Sequence, residues 1–425
     1  MTRLTQIQAW KVLTRRSGGK SGSHSLLLVI AILVNAFLFP VLVCGQTDVW
    51  LGGTGNWSDA SKWSAGVPAS TSNVFVDNGN SVASAVTVDV NDSVNNLIVD
   101  SDDSLIIRPG ITLTVNGNST NSGTIWTQEG IRCSGGQLAV PGTIMNKGGF
   151  IVSPGSAISV TGTLSNFSGT TLSGGTYSVF SGYYMGRPCY GTFSFTGANI
   201  VTNAARIRLS GPYSRISGLG SLASTTSKGS LALQGSNLTT PGSYTNAGKL
   251  SVGPGTKFTV NGSYTQTAGT TTVNGNLTAP GGVTVQAGNV FGNGTSGFGN
   301  GTIAASVVSS GSVTAGDSPT RPGTLSPSTY TQNSNGSLNI AIGGLTAGTQ
   351  YGQLTVPNGV GLDGVLNITL VNGFVPAIGK TFTILTASAR SGKFSTVNGL
   401  SINSGEHFTI AYNPTNVILT VVSGP

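Results

Sequence analysis

Charge is what this chain has least of. Asp, Glu, Lys and Arg make up 8% of its 425 residues, against roughly a quarter in ordinary soluble domains. A surface of ion-paired helices is therefore excluded, and Ser, Thr, Asn and Gly must do the solvating. Acids are the scarcer sign. Nine of the twelve (Asp48, Asp59, Asp77, Asp89, Asp92, Asp100, Asp102, Asp103 and Glu129) precede residue 130, and residues 130–316 contain none. Glycoside hydrolases need a carboxylate pair and calcium-dependent lyases an acid cluster, so no such site can be built on residues 130–316 themselves. Asp100, Asp102 and Asp103 lack the glycine and distal glutamate of an EF-hand loop and read as an acidic turn between strands.

Histidine and cysteine are equally sparse. His407, beside Glu406, is the one histidine after the first 45 residues, and no serine stands in Gly-x-Ser-x-Gly, which leaves a nucleophilic triad without a frame. We therefore expect no catalytic residues, no metal and no cofactor. After Cys44 there remain Cys133 and Cys189; they form one disulfide or stay as two free thiols, and the C-x-x-C spacing of zinc and redox motifs is missing. The formal charge of +8 is inflated by five basic residues before residue 46. No nucleic-acid partner is expected from what remains. From Ser72 to about Gly316 helical periodicity is absent; a cleavable signal helix is expected only at the N-terminus.

Glycine is abundant, at 64 residues, and it punctuates a phrase that occurs three times, at Ile107–Gly117, Val152–Gly162 and Val252–Gly262. Each copy has an apolar residue, a Pro-Gly turn (Pro109, Pro154, Pro254), an apolar/polar alternation (Leu113 and Val115, Ile158 and Val160, Phe258 and Val260) and a second turn. Period-two alternation over so short a run makes a strand that cannot bury its apolar face alone. Stacked on copies of itself in coils of roughly 20–25 residues, it can. The expectation is an all-β chain: a parallel β-helix, or β-solenoid, over 72–316, a cap over 46–71 and an antiparallel β-module over 317–425. A stretch rich in Tyr and Arg near 180–215 reads as a loop bulging from the coils.

The two ends carry a resemblance. Trp50, Trp57 and Trp63 lie in a Trp-x-Gly-Gly-x-Gly-x-Trp-type segment ending in a Gly-x-Pro turn at Pro68, and Arg321–Leu325, Tyr351–Val356 and Gly373–Leu385 follow one another toward the C-terminus. These phrases resemble the opening and closing segments of autotransporter-type passenger proteins and related secreted bacterial β-helix surface proteins. The resemblance implies a capping role for the tryptophans and a surface or matrix role for the protein, adhesive or structural. It departs from that family in lacking the membrane β-barrel, so release, or an outer-membrane export or anchoring partner, is expected. Residues 1–45, with a basic start and the apolar run Leu26–Val43, read as a signal peptide, or as an anchor if uncleaved. The localisation expected is secreted or cell surface.

If the protein binds a ligand, extracellular polysaccharide or host and cell-surface glycans are the expected class. The candidates are Tyr183, Tyr184, Arg206, Arg208 and Arg215, or a Trp50/Trp57/Trp63 platform. An acidic polysaccharide would suit the arginines, although the same charges serve as solubilising groups. A polysaccharide lyase or glycoside hydrolase is the third reading.

Overall fold

The computed structural model describes residues 45–77, 79, 82–292 and 301–424. The expected leader, apart from Gly45, lies outside the described residues. Within them the chain is a parallel β-helix. Each Pro-Gly turn is made by a glycine in the left-handed region, with φ of 74°, 77° and 67° at Gly110, Gly155 and Gly255. Proline presets the turn and glycine completes it without a Cβ clash.

The alternation after each turn buries Leu113, Val115, Ile158, Val160, Phe258 and Val260. Leu113 lies against Leu138, Leu138 against Ile158, Ile158 against Phe193 and Phe193 against Ile216, all in parallel register. Successive members of this column are 25, 20, 35 and 23 residues apart. Leu238, Phe258, Leu277 and Ile303 form a further column. Burying such a side chain contributes about 1.5–3 kcal/mol, a gain that appears only once neighbouring coils stack.

The chain visits three walls in turn. One holds Asn73–Val76, Asn96–Val99, Asn118–Asn121 and Thr143–Asn146. The next holds Ala85–Val88, Ser104–Ile107, Thr124–Thr127 and Gly149–Val152, and the third holds Asp92–Val94, Thr112–Val115, Gln137–Val140 and Ala157–Val160. The corner leaving the first wall is lined inside by buried amides. Asn121, Asn146, Asn203, Asn246, Gln266 and Gln332 each donate to the backbone carbonyl of a residue on a following coil, at Gly149, Thr176, Ser230, Thr270, Asn289 and Val365, over 2.9–3.3 Å. Each carbonyl belongs to a residue of the parallel ladder, and the amide uses the carbonyl's second lone pair to tie one coil to the next.

Two expected boundaries shift. The coils begin inside the expected cap over 46–71, where Thr47–Val49 pairs in parallel with Asn73–Val76 and Thr54–Asn56 with Ala85–Val88. Parallel coils continue past residue 316: Thr324–Gln332 pairs with Thr302–Ser309 and Gln353–Leu362, Ser337–Ile342 with Val365–Leu370, and Val365–Leu370 with Thr396–Asn398. The antiparallel module is confined to Thr381–Gly392, Ser401–Asn403, Glu406–Tyr412 and Asn416–Ser423. The rhythm changes earlier because the strands after residue 301 lengthen and pass through register shifts within the strand, as at Ile303/Ser306 and Leu325/Tyr330, in place of Gly-rich turns. The stretch 180–215 is also more regular than expected. Thr171–Phe180, Gly191–Phe195, Thr202–Ser210 and Ser214–Ile216 are coil strands, and Gly182–Tyr184 with Arg187–Cys189 form a hairpin.

Candidate functional site

The hairpin Gly182–Tyr184/Arg187–Cys189 leaves the end of a wall strand that closes at Phe180. Its tip is Met185–Gly186, both with positive φ, and the Met185 side chain is 87% exposed. A disulfide joins Cys189 to Cys133, with Cα atoms 5.1 Å apart. The hairpin is thereby tied to the turn Ile131–Cys133, where Arg132 and Cys133 are held in the left-handed region at φ of 60° and 63°. Such a conformation costs a non-glycine residue about a kcal/mol or more, and the disulfide holds it in place.

A cleft of about 900 Å³ is lined by Tyr183 and Tyr184 of the hairpin together with Asp89, Arg108, Glu129 and Ile131. Asp89, Arg108 and Glu129 come from successive coils. Val88 pairs with Ile107, and Ile107 with Thr127, so the residues just beyond these strand ends stack at one corner. Asp89 accepts from the Ser58 backbone N–H at 3.0 Å and the Ser58 hydroxyl at 2.7 Å. Arg108 donates to Asn56 Oδ1 at 3.2 Å. Glu129 is exposed at the rim.

The aromatic side of the cleft continues along the surface. The Tyr183 and Tyr213 hydroxyls are 2.9 Å apart and their rings meet edge to face at 5.2 Å; Tyr213 meets Tyr190 at 5.1 Å, and the Arg215 guanidinium lies 4.7 Å over Tyr190. The hydrogen bond to Tyr183 raises the Tyr213 phenol above its ordinary pKa, with smaller contributions from desolvation and the neighbouring tyrosines. Tyr190 and Arg215 also line a second cleft, of about 570 Å³.

The other sequence candidates separate. Arg206 and Arg208 do point outward from one strand, Thr202–Ser210, but on another part of the coil surface from Arg215. Arg208 is engaged, donating to Gln234 Oε1 at 2.6 Å and lying 5.2 Å over Phe180. Trp50, Trp57 and Trp63 are not a sugar platform, because all three are buried, at 1%, 0% and 3% exposure. Their rings pack edge to face at 5.0 and 4.9 Å, and each indole N–H is bonded, to Gly53 O, Asp92 Oδ2 and Trp57 O. Aromatics with internal partners fill an interior and leave no ring face for a ligand.

The acidic turn is partly internal. Asp103 is buried, accepts from Ser84 N at 2.8 Å, and is pushed up to about 6 by burial, with the Asp77, Asp102 and Asp100 carboxylates adding to the rise. Buried Asp77 accepts from the Ser84 hydroxyl at 2.6 Å. Among the described residues no group of three or more His, Cys, Asp or Glu side chains is arranged to hold a metal ion. His407 Nδ1 is 2.9 Å from Gly424 O, and Glu406 accepts from Asn403.

Asp89, Arg108 and Glu129 escaped the sequence reading because they are spread over 41 positions. The available signal was their shared place just after a strand of one wall, visible only once the coils are aligned. No protein-family model matches the chain, and no curated protein matches it.

Proposed function

We propose that the protein is an exported, non-catalytic surface or matrix protein that adheres to carbohydrate through the cleft beneath the hairpin. The observation that carries this reading is the cleft itself: a regular scaffold is interrupted by a disulfide-tied hairpin that sets two tyrosines over a concave corner holding Asp89, Arg108 and Glu129. Tyrosine rings cover the C–H faces of a sugar, while the Glu129 carboxylate and the Arg108 guanidinium bond its hydroxyls. Loops clamped on rigid scaffolds are where binding residues concentrate. The leader-like first 45 residues and the disulfide support export, since structural disulfides persist in oxidising compartments.

Hydrolysis fits less well. It requires two available carboxylates, and Asp89 is committed to Ser58. A glycan array probed with wild-type protein, Tyr183→Ala/Tyr184→Ala and Glu129→Gln tests the proposal. Saturable binding that the double tyrosine variant loses is expected. Cleavage of the bound glycan, abolished by Glu129→Gln, would replace adhesion with hydrolysis. A folded protein that binds nothing would leave a structural coat as the account.

A further inference from the structure

The wall strand that ends at the hairpin, Thr171–Phe180, carries a second feature. Between Ser173 and Thr176 the register shifts, and Gly174 and Gly175, with φ of 64° and 67°, leave a dent without side chains. A Cβ on Gly175 would stand 2.5 Å from Asn146 O, so the dent is part of the fold. It opens into a groove of about 640 Å³ whose lining includes Lys147, Arg206 and Lys228.

Register turns these cations into a row. Gly149 pairs with Thr176, Thr176 with Arg206, Arg206 with Ser230, and Ser230 with Lys249. Lys147 and Lys228 each stand two residues before a member of that row, at the same corner. One coil rises about 4.8 Å along the axis. Counted from Lys147, the cations therefore lie about 10, 14 and 19 Å further along, at Arg206, Lys228 and Lys249. All four are exposed. The one ion pair among the described residues is Arg321–Asp317, at 3.5 Å, and the coils from 130 to 316 supply no carboxylate. Unlike Arg208, Arg206 has no side-chain acceptor among the described residues.

We infer that this row is a track for a linear polyanionic polysaccharide, carrying carboxylate or sulfate groups, laid parallel to the solenoid axis. A line of like charges without counter-charges attracts a ligand of opposite sign and matching linear spacing. Along the row Thr176 lies between Lys147 and Arg206, Ser230 beside Lys228 and Thr270 one coil beyond Lys249, and their hydroxyls suit sugar hydroxyls. It offers no aromatic face on which bases would stack. The inference deepens the adhesive reading by naming a ligand class, but it uses residues outside the hairpin cleft.

The test measures binding of purified protein to polygalacturonate and dextran sulfate, with neutral dextran, single-stranded DNA and anionic phospholipid vesicles alongside. The variants are Lys147→Ser/Arg206→Ser/Lys228→Ser, with Arg208→Ser and Tyr183→Ala/Tyr184→Ala as controls. All are surface changes, and an unchanged thermal melt verifies folding. One or both polysaccharides are expected to bind, with affinity lost about two- to fivefold per cation removed. Binding should weaken further as salt rises from about 0.05 to about 0.5 M. The Arg208→Ser control should bind the polyanion as wild type does; loss in the tyrosine variant with wild-type affinity in the triple variant would place the polyanion in the hairpin cleft and overturn the track, so the two readings fail separately. Equal affinity of the triple variant and wild type, or equal binding of neutral dextran, overturns the inference. Preferential binding of DNA or vesicles lost in the triple variant overturns it in favour of those partners.

Discussion

Replacing Asn146 with leucine tests the amide ladder that holds one coil to the next. Asn146 is fully buried; its Nδ2 donates to Thr176 O at 3.2 Å and its Oδ1 accepts from Asn121 Nδ2 at 2.9 Å. Asn146→Leu keeps much of the volume but removes both bonds. Asn121 retains its bond to Gly149 O, whereas the inward-facing Thr176 carbonyl loses the amide. Each of the two lost hydrogen bonds costs about 1 kcal/mol, giving about 2 kcal/mol together, and the Thr176 carbonyl keeps its place in the ladder with Gly149–Val152. The added apolar burial offsets about 1 kcal/mol at most. Urea unfolding followed by tryptophan fluorescence should therefore show a destabilisation of about 1–2 kcal/mol. Because coils interact chiefly with their neighbours, amide exchange should quicken most at Thr143–Asn146 and Thr171–Phe180. A variant within about 0.5 kcal/mol of wild type, the range of ordinary surface changes, would refute the ladder's role.

Three further perturbations address the cap, the clamp and the buried acid. Trp57→Ala should destabilise the N-terminal coils by about 3–5 kcal/mol, read as faster exchange at Thr47–Val49 and Asn73–Val76. Cys133→Ser/Cys189→Ser should speed exchange in Gly182–Cys189 and weaken glycan binding in the cleft, while the strands of distant coils keep their protection. Asp103 has a folded pKa of about 6 against an ordinary value of 3.8, so the folded state holds its proton to higher pH than the unfolded chain. Its contribution to stability is fully present below about 3.8 and is lost as pH rises through about 6. The urea midpoint of wild type relative to Asp103→Asn should fall between pH 4 and pH 7, and a parallel pH dependence of the two proteins would contradict this.

Much of the architecture is legible because its causes are local. The Pro-Gly turn, the alternation of Leu113 and Val115 and the tryptophan spacing each act within a dozen residues, and together they lead to stacked coils. What register creates is not legible. Asp89, Arg108 and Glu129 meet at a corner only because Val88, Ile107 and Thr127 pair, and Lys147, Arg206, Lys228 and Lys249 align only through successive coils of unequal length. The 35-residue step from Ile158 to Phe193 hides the hairpin from any fixed period. The antiparallel module begins later than expected for a related reason: past residue 301 some corners lie within long strands, as at Ile303/Ser306 and Leu325/Tyr330, with no glycine to mark them.

The most direct test of carbohydrate adhesion is hydrogen exchange on wild-type protein with and without a saturating glycan identified on the array. The account predicts added protection at Gly182–Cys189 and at Ile131–Cys133, which together frame the cleft. Protection confined to other surfaces, or none at saturation, would contradict it.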